Sequence, residues 1–409
     1  MPATYTARAL EPHLRRLSEQ FPVIIVTGAR QVGKTTLLRH LAGKTRTYVT
    51  LDDPPVLELA RSDPALFLQR FRPPLLIDEV QYAPQLLPYI KMAADEGHEP
   101  GAFWLTGSQS FHLMKGVSES LAGRAAVVQL LGLSTRERSG SPVAGPFVPT
   151  PDEVLRRATA TSALSLQDVY RTIWRGSLPA IALDEGVDRD AFYGSYVATY
   201  LQRDVRDLAH VGDQVAFLRF VRAAAARTGT LVNVAEMARD ADVAPNTAKS
   251  WLSILVASGL VFLLEPFHTN VTKRLVKAPK LYFFETGLAA YLTEWSSPAV
   301  LEAGAMAGAI LETWVVAEVV KSYWNAGLRA PVYFLRDKDQ AEIDLLIVRD
   351  GVVHPVEIKK TASPRKDDVR HFAALGRLGV TAGPGTLLCL GARALPLTAS
   401  TWAVPAWAV

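Results

Sequence analysis

Short apolar runs alternate with helix-like segments along the first 135 or so residues of the chain. The runs VIIV, YVTL, PLLIDEV, AFWLTG and AAVVQL have the length of strands, and the segments between them carry apolar residues at spacings of three and four. Strands that alternate with helices are typical of a parallel sheet covered by helices. The pattern therefore predicts an α/β domain over residues 1–150.

The pattern changes after a stretch rich in Ser, Pro and Gly, RERSGSPVAGPFVPTPDE, which indicates a connection between domains. Residues 151–228 have helical spacing throughout and predict a helical lid or connector. Over 229–299, a short helix, a turn, a longer helix that begins near Pro245 and ends at Gly259, and a strand predict a winged helix-turn-helix. Residues 300–409 open with a helix and continue with strands, which predicts a second α/β domain of different order.

Composition narrows the class of protein. At 409 residues and 49% hydrophobic, the chain is long enough for several domains, and its single cysteine, Cys389, excludes an internal disulfide or a cysteine-based zinc site. No apolar stretch has the length of a membrane span and the N-terminus lacks a signal-peptide pattern, so we expect a cytoplasmic protein with no membrane association. A net charge of +4 permits contact with nucleic acid without arguing for it.

Residues Gly28 to Thr35 match the phosphate-loop pattern G-x-x-x-x-G-K-T, placed between a predicted strand and a predicted helix. The glycines let backbone N–H groups curl around a phosphate, Lys34 reaches the β and γ phosphates, and Thr35 offers a hydroxyl to Mg²⁺. A glycine turn with incidental Lys and Thr is the alternative, but order and context favour ATP and Mg²⁺. The residues expected to contact the nucleotide are Gly28, Ala29, Arg30, Gln31, Val32, Gly33, Lys34, Thr35, Thr36 and Ser108.

A pair of carboxylates, Asp78 and Glu79, ends the apolar run PLLIDEV. After a phosphate loop, the first carboxylate is expected to hold the metal and the second to polarise the attacking water. A later run, WLTGSQS, puts Thr106, Ser108 and Gln109 at the same edge of the sheet. One of these polar residues senses the γ-phosphate, or they cap the next helix; the sequence leaves both open.

Arg124 precedes the strand AAVVQL and is a candidate arginine finger that acts within or between subunits, although an arginine at a strand entrance is often structural. Arg203 and Arg206 are weaker candidates, because alternating Arg and Asp on a helix commonly form surface ion pairs.

The C-terminal region carries a second set of polar residues. Asp344, then Glu357 and Lys359 on the next strand, reproduce a D…E-x-K arrangement, and Glu312 on the preceding helix completes it. Two carboxylates on neighbouring strands can hold Mg²⁺ while the lysine orients water, which would make a second metal site. Carboxylates with a nearby lysine on a half-exposed sheet are the alternative.

Contact with DNA is predicted from the longer helix of the helix-turn-helix. Ala248, Trp251, Leu252 and Leu255 have core spacing, which leaves a polar face with Lys249. The following VTKRLVKAPK has no acidic residue and would act as a basic wing on phosphates. Its basic residues are Lys273, Arg274, Lys277 and Lys280. A solvated surface or a protein-docking module is the alternative.

Together, the motifs TGARQVGKTTLL, LLIDEVQ, LTGSQSF, SLAGR, YLQRDVRDL, KAPKLYFFETGL, GAILETWVVAEV and EIDLLI…VEIKK resemble a family of bacterial and archaeal ATPases of the AAA superfamily with a C-terminal domain of unknown function. The resemblance covers nearly the whole chain. It implies a nucleotide-dependent ATPase followed by a winged helix and a restriction-endonuclease-like fold.

Two functions follow from these elements. In the first, ATP turnover drives or gates DNA engagement; in the second, ATP controls assembly with a protein partner and the C-terminal fold is inert. A small-molecule kinase is disfavoured, because Glu79 beside Asp78 suits hydrolysis and no substrate domain is evident. Since AAA-type sites often lie between subunits, we expect a homo-oligomer.

Overall fold

Three sheets follow one another along the chain in a computed structural model. The structure describes residues 5–97, 99–107, 120–142, 145–200, 213–268, 278–336 and 341–409. Strands and helices are numbered in chain order within these residues. No helix in these ranges is long and apolar enough to cross a membrane.

The first sheet is parallel and has the strand order β2-β3-β4-β1-β5. Its strands are β1 Val23–Thr27, β2 Thr47–Thr50, β3 Leu75–Asp78, β4 Phe103–Gly107 and β5 Ala125–Gln129. The helices around it are α1 Glu11–Ser18, α2 Lys34–Ala42, α3 Pro54–Ser62, α4 Pro64–Arg70 and α5 Leu86–Asp95. This confirms the α/β class and the parallel sheet predicted from the sequence.

Both faces of this sheet are buried, which explains its continuous apolar strands. Successive side chains alternate between faces, so Ile24 packs with helix α2 in one core and Ile25 packs with α5 in another. The sheet therefore holds the loops at its carboxyl edge from both sides.

Helices dominate the next part of the chain, followed by a small antiparallel sheet of order β6-β8-β7. The helices are α6 Thr135–Arg138, α7 Pro151–Thr159, α8 Leu166–Arg175, α9 Pro179–Ala182, α10 Arg189–Tyr196, α11 Gln214–Ala226, α12 Val234–Ala241 and α13 Pro245–Ala257. The strands are β6 Thr230–Leu231, β7 Val261–Leu264 and β8 Lys280–Phe283, and helices α14 Thr286–Leu292 and α15 Pro298–Ala303 follow. Pro245 starts α13, and Gly259, with φ of 71°, follows its end, as the sequence indicates.

The C-terminal region packs a long helix, α16 Ala307–Asn325, against a mixed sheet. The main path of the sheet is β14-β15-β13-β11-β10-β9, and β12 pairs with β11. Its strands are β9 Val332–Arg336, β10 Glu342–Arg349, β11 Val352–Ile358, β12 Thr381–Ala382, β13 Gly385–Cys389, β14 Leu395–Pro396 and β15 Thr401–Pro405; a short helix, α17 Ala374–Arg377, precedes β12.

The three regions share one hydrophobic core, which runs from Leu37 through Phe220 to Val315. Polar contacts reinforce it: the buried Arg136 side chain donates to the backbone oxygens of Ala408 and Val409, both at 3.0 Å. The end of the chain is thus fixed to the segment that follows the first sheet.

Candidate active site

The loop between β1 and α2 has the backbone conformation of a phosphate cradle. Gly28 and Gly33 have φ of 139° and 94°, in the region that favours glycine. A Cβ at Gly28 would lie 2.2 Å from the backbone oxygen of Leu130, so another residue there would force the loop away from the sheet. The glycine pattern therefore reflects real requirements of the backbone.

Lys34 begins helix α2 and is only 5% exposed. Its Nζ donates to the carbonyl oxygens of Gly28 at 3.0 Å and Ala29 at 2.9 Å. Burial lowers the pKa of Lys34 to about 8, although Glu79 and Asp78 oppose this shift. The ammonium thus lies in the loop at the position from which it can exchange these carbonyls for phosphate oxygens.

Asp78 ends β3 and gathers three hydroxyl groups. Thr35 Oγ1 donates to Asp78 Oδ1 at 2.7 Å, Tyr48 OH donates to Oδ2 at 3.1 Å, and Thr106 Oγ1 also donates to Oδ1. Because β4 lies between β1 and β3, the parallel sheet brings Thr106 beside the carboxylate at one edge. The predicted metal-binding pair, Thr35 and Asp78, is therefore in contact.

Glu79 has a left-handed backbone, with φ of 57°, directly after the strand. Its N–H donates to Thr106 Oγ1 at 3.1 Å, and Gln81 Nε2 donates to its carboxylate. Thr106 thus contacts both residues of the carboxylate pair, and γ-phosphate sensing by Thr106 stays a prediction. Burial first, and then Glu79 and Asp78, raise the pKa of nearby Asp52, so this side of the loop has the oxygen-rich, negative character that suits Mg²⁺.

Sequence reasoning missed the arginine that supports the loop. Arg8, 5% exposed, donates from Nη1 to Val32 O at 2.9 Å and from Nη2 to Leu131 O at 2.7 Å. Its Nε lies 3.0 Å from Oε1 of the fully buried Glu137. The partners are 129 positions apart, so no local pattern indicates the contact.

Arg124 lies away from this site. It precedes β5, and its guanidinium pairs with Asp95 at the exposed end of α5. Arg124 lies beside the start of the neighbouring strand β1, and the phosphate loop follows the carboxyl end of that strand. The five residues of β1, at about 3.3 Å per residue, therefore separate Arg124 from the loop by roughly 17 Å. Arg124 therefore lies at the opposite edge of the sheet and is far from the loop of its own chain.

Several predicted residues lie outside the described part of the chain. They are Ser108, Gln109, Arg203, Arg206, Lys273, Arg274 and Lys277. Within the described loop, the Arg30 guanidinium lies 3.4 Å from Tyr82 OH, Gln31 has φ of 64°, and Thr36 is exposed.

The residues predicted for the C-terminal site lie where α16, β10 and β11 pack next to β8. Lys359 Nζ lies 2.6 Å from Glu357 Oε1, and Ile358 N donates to Asp344 Oδ2 at 2.9 Å. Glu312 accepts from Tyr282 OH at 2.5 Å. Burial, with Asp344 as the next cause, raises the pKa of Glu312 to about 7 and that of Glu357 to about 8.

Lysine side chains pair with two carboxylates of the predicted second metal site. The described residues contain no group of three or more His, Cys, Asp or Glu arranged to hold a metal ion. The carboxylates of Glu312 and Glu357 are instead paired with lysines. Metal binding at Asp344 and Glu357 stays a prediction.

Lys280 corrects one expectation from the sequence. It was predicted to lie in the basic wing, but it starts β8, is 4% exposed and is ion-paired to Glu312 and Glu342. A basic run in sequence has the same appearance whether its last lysine faces solvent or a buried carboxylate. Lys280 therefore does not contact DNA from this position.

Helix α13 has the two faces predicted from spacing. Ala248, Trp251, Leu252 and Leu255 are buried, and Lys249 is exposed. Asn246, Ser250 and Ser253 are exposed as well.

Comparison with known sequences agrees with the geometry of the loop. An AAA domain model matches residues 20–139, so the fold and the site define a P-loop ATPase domain of the AAA class, which supports ATP binding and hydrolysis. Two domains of unknown function match the rest, DUF8612 over 166–299 and DUF4143 over 307–409.

The chain is 34% identical over 358 residues to two proteins, each match covering 86% of this chain and 73% of the other. They are uncharacterized protein Rv2008c of Mycobacterium tuberculosis and uncharacterized protein Mb2031c of Mycobacterium bovis. The chain belongs to the family of these proteins.

Two solved structures show weaker similarity. The Walker-type ATPase PABY2304 of Pyrococcus abyssi is 14% identical, with a TM-score of 0.46 over 70% of this chain and 96% of that one. The S. cerevisiae Hsp104–ADP complex is also 14% identical, with a TM-score of 0.28 over 72% and 46% of the chains. The assignment rests on the sequence match and not on these scores.

Proposed function

We propose that this protein is a Mg²⁺-dependent ATPase whose turnover is coupled to DNA. The observation that carries the ATPase part is the contact of Thr35 with Asp78 beside the buried Lys34 and the carboxylate of Glu79. These are the groups that nucleotide hydrolysis needs at one edge of a parallel sheet.

Each residue has a role in this proposal. Lys34 leaves the carbonyl oxygens of Gly28 and Ala29 and binds the β and γ phosphates, while the loop N–H groups enclose them. Thr35 and Asp78 would hold Mg²⁺, which would neutralise charge on the phosphates. Glu79, kept in place by Thr106 and Gln81, accepts the proton of the attacking water.

The DNA part of the proposal rests on the middle region. A helix, the short strand β6, two helices and two further strands, with β8 between β6 and β7, have the order of a winged helix. The exposed face of α13 carries Asn246, Lys249, Ser250 and Ser253, which suits a groove of DNA. Lys273, Arg274 and Lys277 would add phosphate contacts from the wing.

A protein-directed switch is the second candidate, and a specific observation favours it. Helix α13 carries a single basic residue, Lys249, and Lys280 is ion-paired to the partly exposed carboxylates of Glu312 and Glu342. A weakly charged helix face suits a protein partner better than a DNA backbone. In this case ATP controls assembly, and the C-terminal fold is inert.

Oligomer formation is part of the proposal. Arg124 is about 37% exposed at the edge of the sheet opposite the loop, so it can reach a nucleotide only on a neighbouring subunit. An arginine supplied in this way stabilises transition-state charge.

Steady-state phosphate release tests the proposal. ATP turnover is measured with Mg²⁺ alone and then with single-stranded, duplex and branched DNA, with Lys34→Ala as the inactive control. Stimulation by one DNA form that weakens as salt rises supports the DNA-coupled ATPase. Turnover that no DNA form changes favours the protein-directed switch, and wild-type turnover no higher than that of Lys34→Ala refutes the ATPase assignment.

A further inference from the structure

A buried cluster of charges joins the middle region to the C-terminal region. We call it the junction cluster. It consists of Lys280, Glu312, Glu342, Asp344, Glu357 and Lys359. The ATPase site does not include these residues, and the D…E-x-K pattern accounts for only part of them.

Lys280 enters this cluster from another region of the fold. It starts β8, the central strand of the middle sheet, where it pairs with Leu231 on β6 and Leu264 on β7. Its Nζ lies 2.6 Å from Glu342 Oε1 on β10 and 3.1 Å from Glu312 Oε1 on α16. Strand β8 therefore presents a fixed cation to carboxylates of the C-terminal region.

Tyr282 strengthens this placement. It lies two residues along β8, on the same face as Lys280, and donates to Glu312 Oε1 at 2.5 Å. Glu312 thus receives both a cation and a hydroxyl from one strand of the middle region.

The formal charge of the junction cluster explains why its two lysines are needed. With all groups ionised, four carboxylates and two ammonium groups leave a formal charge of −2 in a mostly buried position, since the side chains of Glu342 and Lys359 are 35% and 42% exposed and the other four are less exposed. Net charge in such a position is costly, so each positive group there is strongly held.

One carboxylate oxygen in the cluster has no hydrogen-bond donor within the described part of the chain. Glu357 is 2% exposed, and its Oε2 accepts no hydrogen bond from any residue that the structure describes. A buried carboxylate oxygen without a donor is expensive to maintain. It is also a ready ligand for a hard cation.

We propose that Lys280 is a built-in cation that takes the place of a divalent metal ion in the junction cluster. The carboxylates bind metal when Lys280 is removed or when β8 moves away from α16 and β10. This accounts for the difference between the metal site predicted from the D…E-x-K pattern and the lysine-paired carboxylates in the structure.

Binding of Mn²⁺ to the full-length protein without nucleotide tests this proposal by isothermal titration calorimetry. The Asp344→Asn protein keeps every phosphate-loop residue and gives the background from the ATP site. We expect Mn²⁺ binding by the wild type to equal that background. Lys280→Met should gain one site that binds Mn²⁺ at least tenfold more tightly than the background does. Lys280→Arg keeps the charge and should match the wild type, while Lys280→Met with Asp344→Asn should return to background.

Two results would overturn the proposal: wild-type binding above the Asp344→Asn background, or a folded Lys280→Met protein that binds no more Mn²⁺ than that background. If Lys280→Met does not fold, Lys280→Gln replaces it, because an amide removes the charge and can still donate a hydrogen bond to Glu312 or Glu342. It should also gain one Mn²⁺ site above the Asp344→Asn background, and binding equal to that background would count against the proposal. ATP hydrolysis is measured in parallel on each variant, so failure of the ATPase assignment is detected separately.

Discussion

Replacing Arg8 with alanine is the sharpest test of how the phosphate loop is held. The change removes the donors to Val32 O and Leu131 O and leaves the carboxylate of Glu137, which is 0% exposed, without its ion-pair partner. Because one member of a buried pair is lost, we expect the free energy of unfolding to fall by about 3 to 5 kcal/mol. Urea denaturation followed by circular dichroism measures this loss.

The loop contact predicts a second effect of the same change. Val32 O would lose its anchor, so a loop that must be ordered to bind phosphate would bind ATP more weakly, measured as Kd by titration calorimetry. Arg8→Ala with Glu137→Gln is the matched control, since it removes the uncompensated charge and should recover part of the stability but not the affinity. A stability loss below about 1 kcal/mol for Arg8→Ala would refute the reasoning, because it would mean that the pair is not effectively buried.

Four further substitutions test the ATP site and Arg124. Lys34→Ala should abolish ATP binding. Glu79→Gln should slow hydrolysis by about 10²-fold or more in single-turnover assays while ATP affinity is kept. Hydrolysis by Glu79→Gln at the wild-type rate would contradict the assignment of Glu79 as the base. Arg124→Ala should lower ATP turnover. Mixing the Arg124→Ala protein with inactive Glu79→Gln protein should restore part of this turnover at mixed interfaces. Strictly additive rates would leave the action of Arg124 in trans unsupported. The pKa of Lys34 is lowered to about 8 in the folded protein, so the unfolded chain binds more protons than the folded protein between about pH 8 and pH 10. The free energy of unfolding of the wild type should therefore rise with pH in this range relative to that of Lys34→Met. A difference that does not change with pH would contradict the burial of the charge.

The parts of the site that could be predicted from sequence are those fixed by local chemistry. A glycine at position 28 is required by the approach to Leu130, and Asp78 follows an apolar strand directly, so both are recognisable from a few consecutive residues. The burial of Trp251 and Leu255 follows from helical spacing in the same way. In each case the pattern and the structural cause lie within one element.

What could not be predicted depends on contacts between distant elements. The position of Arg8 depends on Glu137, which is far along the chain, and the burial of Lys280 depends on Glu312 and Glu342 in another region. Lys280 follows a run of basic residues, so composition favours an exposed wing, but the register of β8 turns this side chain towards carboxylates. Only the packing of the two regions decides between these environments.

The same long-range contacts connect the phosphate loop with the C-terminal region. Arg8 links Val32 to Glu137 on α6, and at the start of that helix the N–H of Thr135 donates to Glu318 Oε2 on α16 at 2.7 Å. Helix α16 also carries Glu312 of the junction cluster, about six residues or roughly 9 Å away along the helix axis. Because the Arg8–Glu137 pair is buried, Glu318 is 4% exposed and α16 is continuous, any displacement of α6 would have to move α16 or break the bond to Glu318. Lys321 on the same helix donates to Leu133 O at 3.0 Å and to Glu318 Oε1 at 2.9 Å, so loss of Glu318 should weaken the link between the two sites without touching either of them.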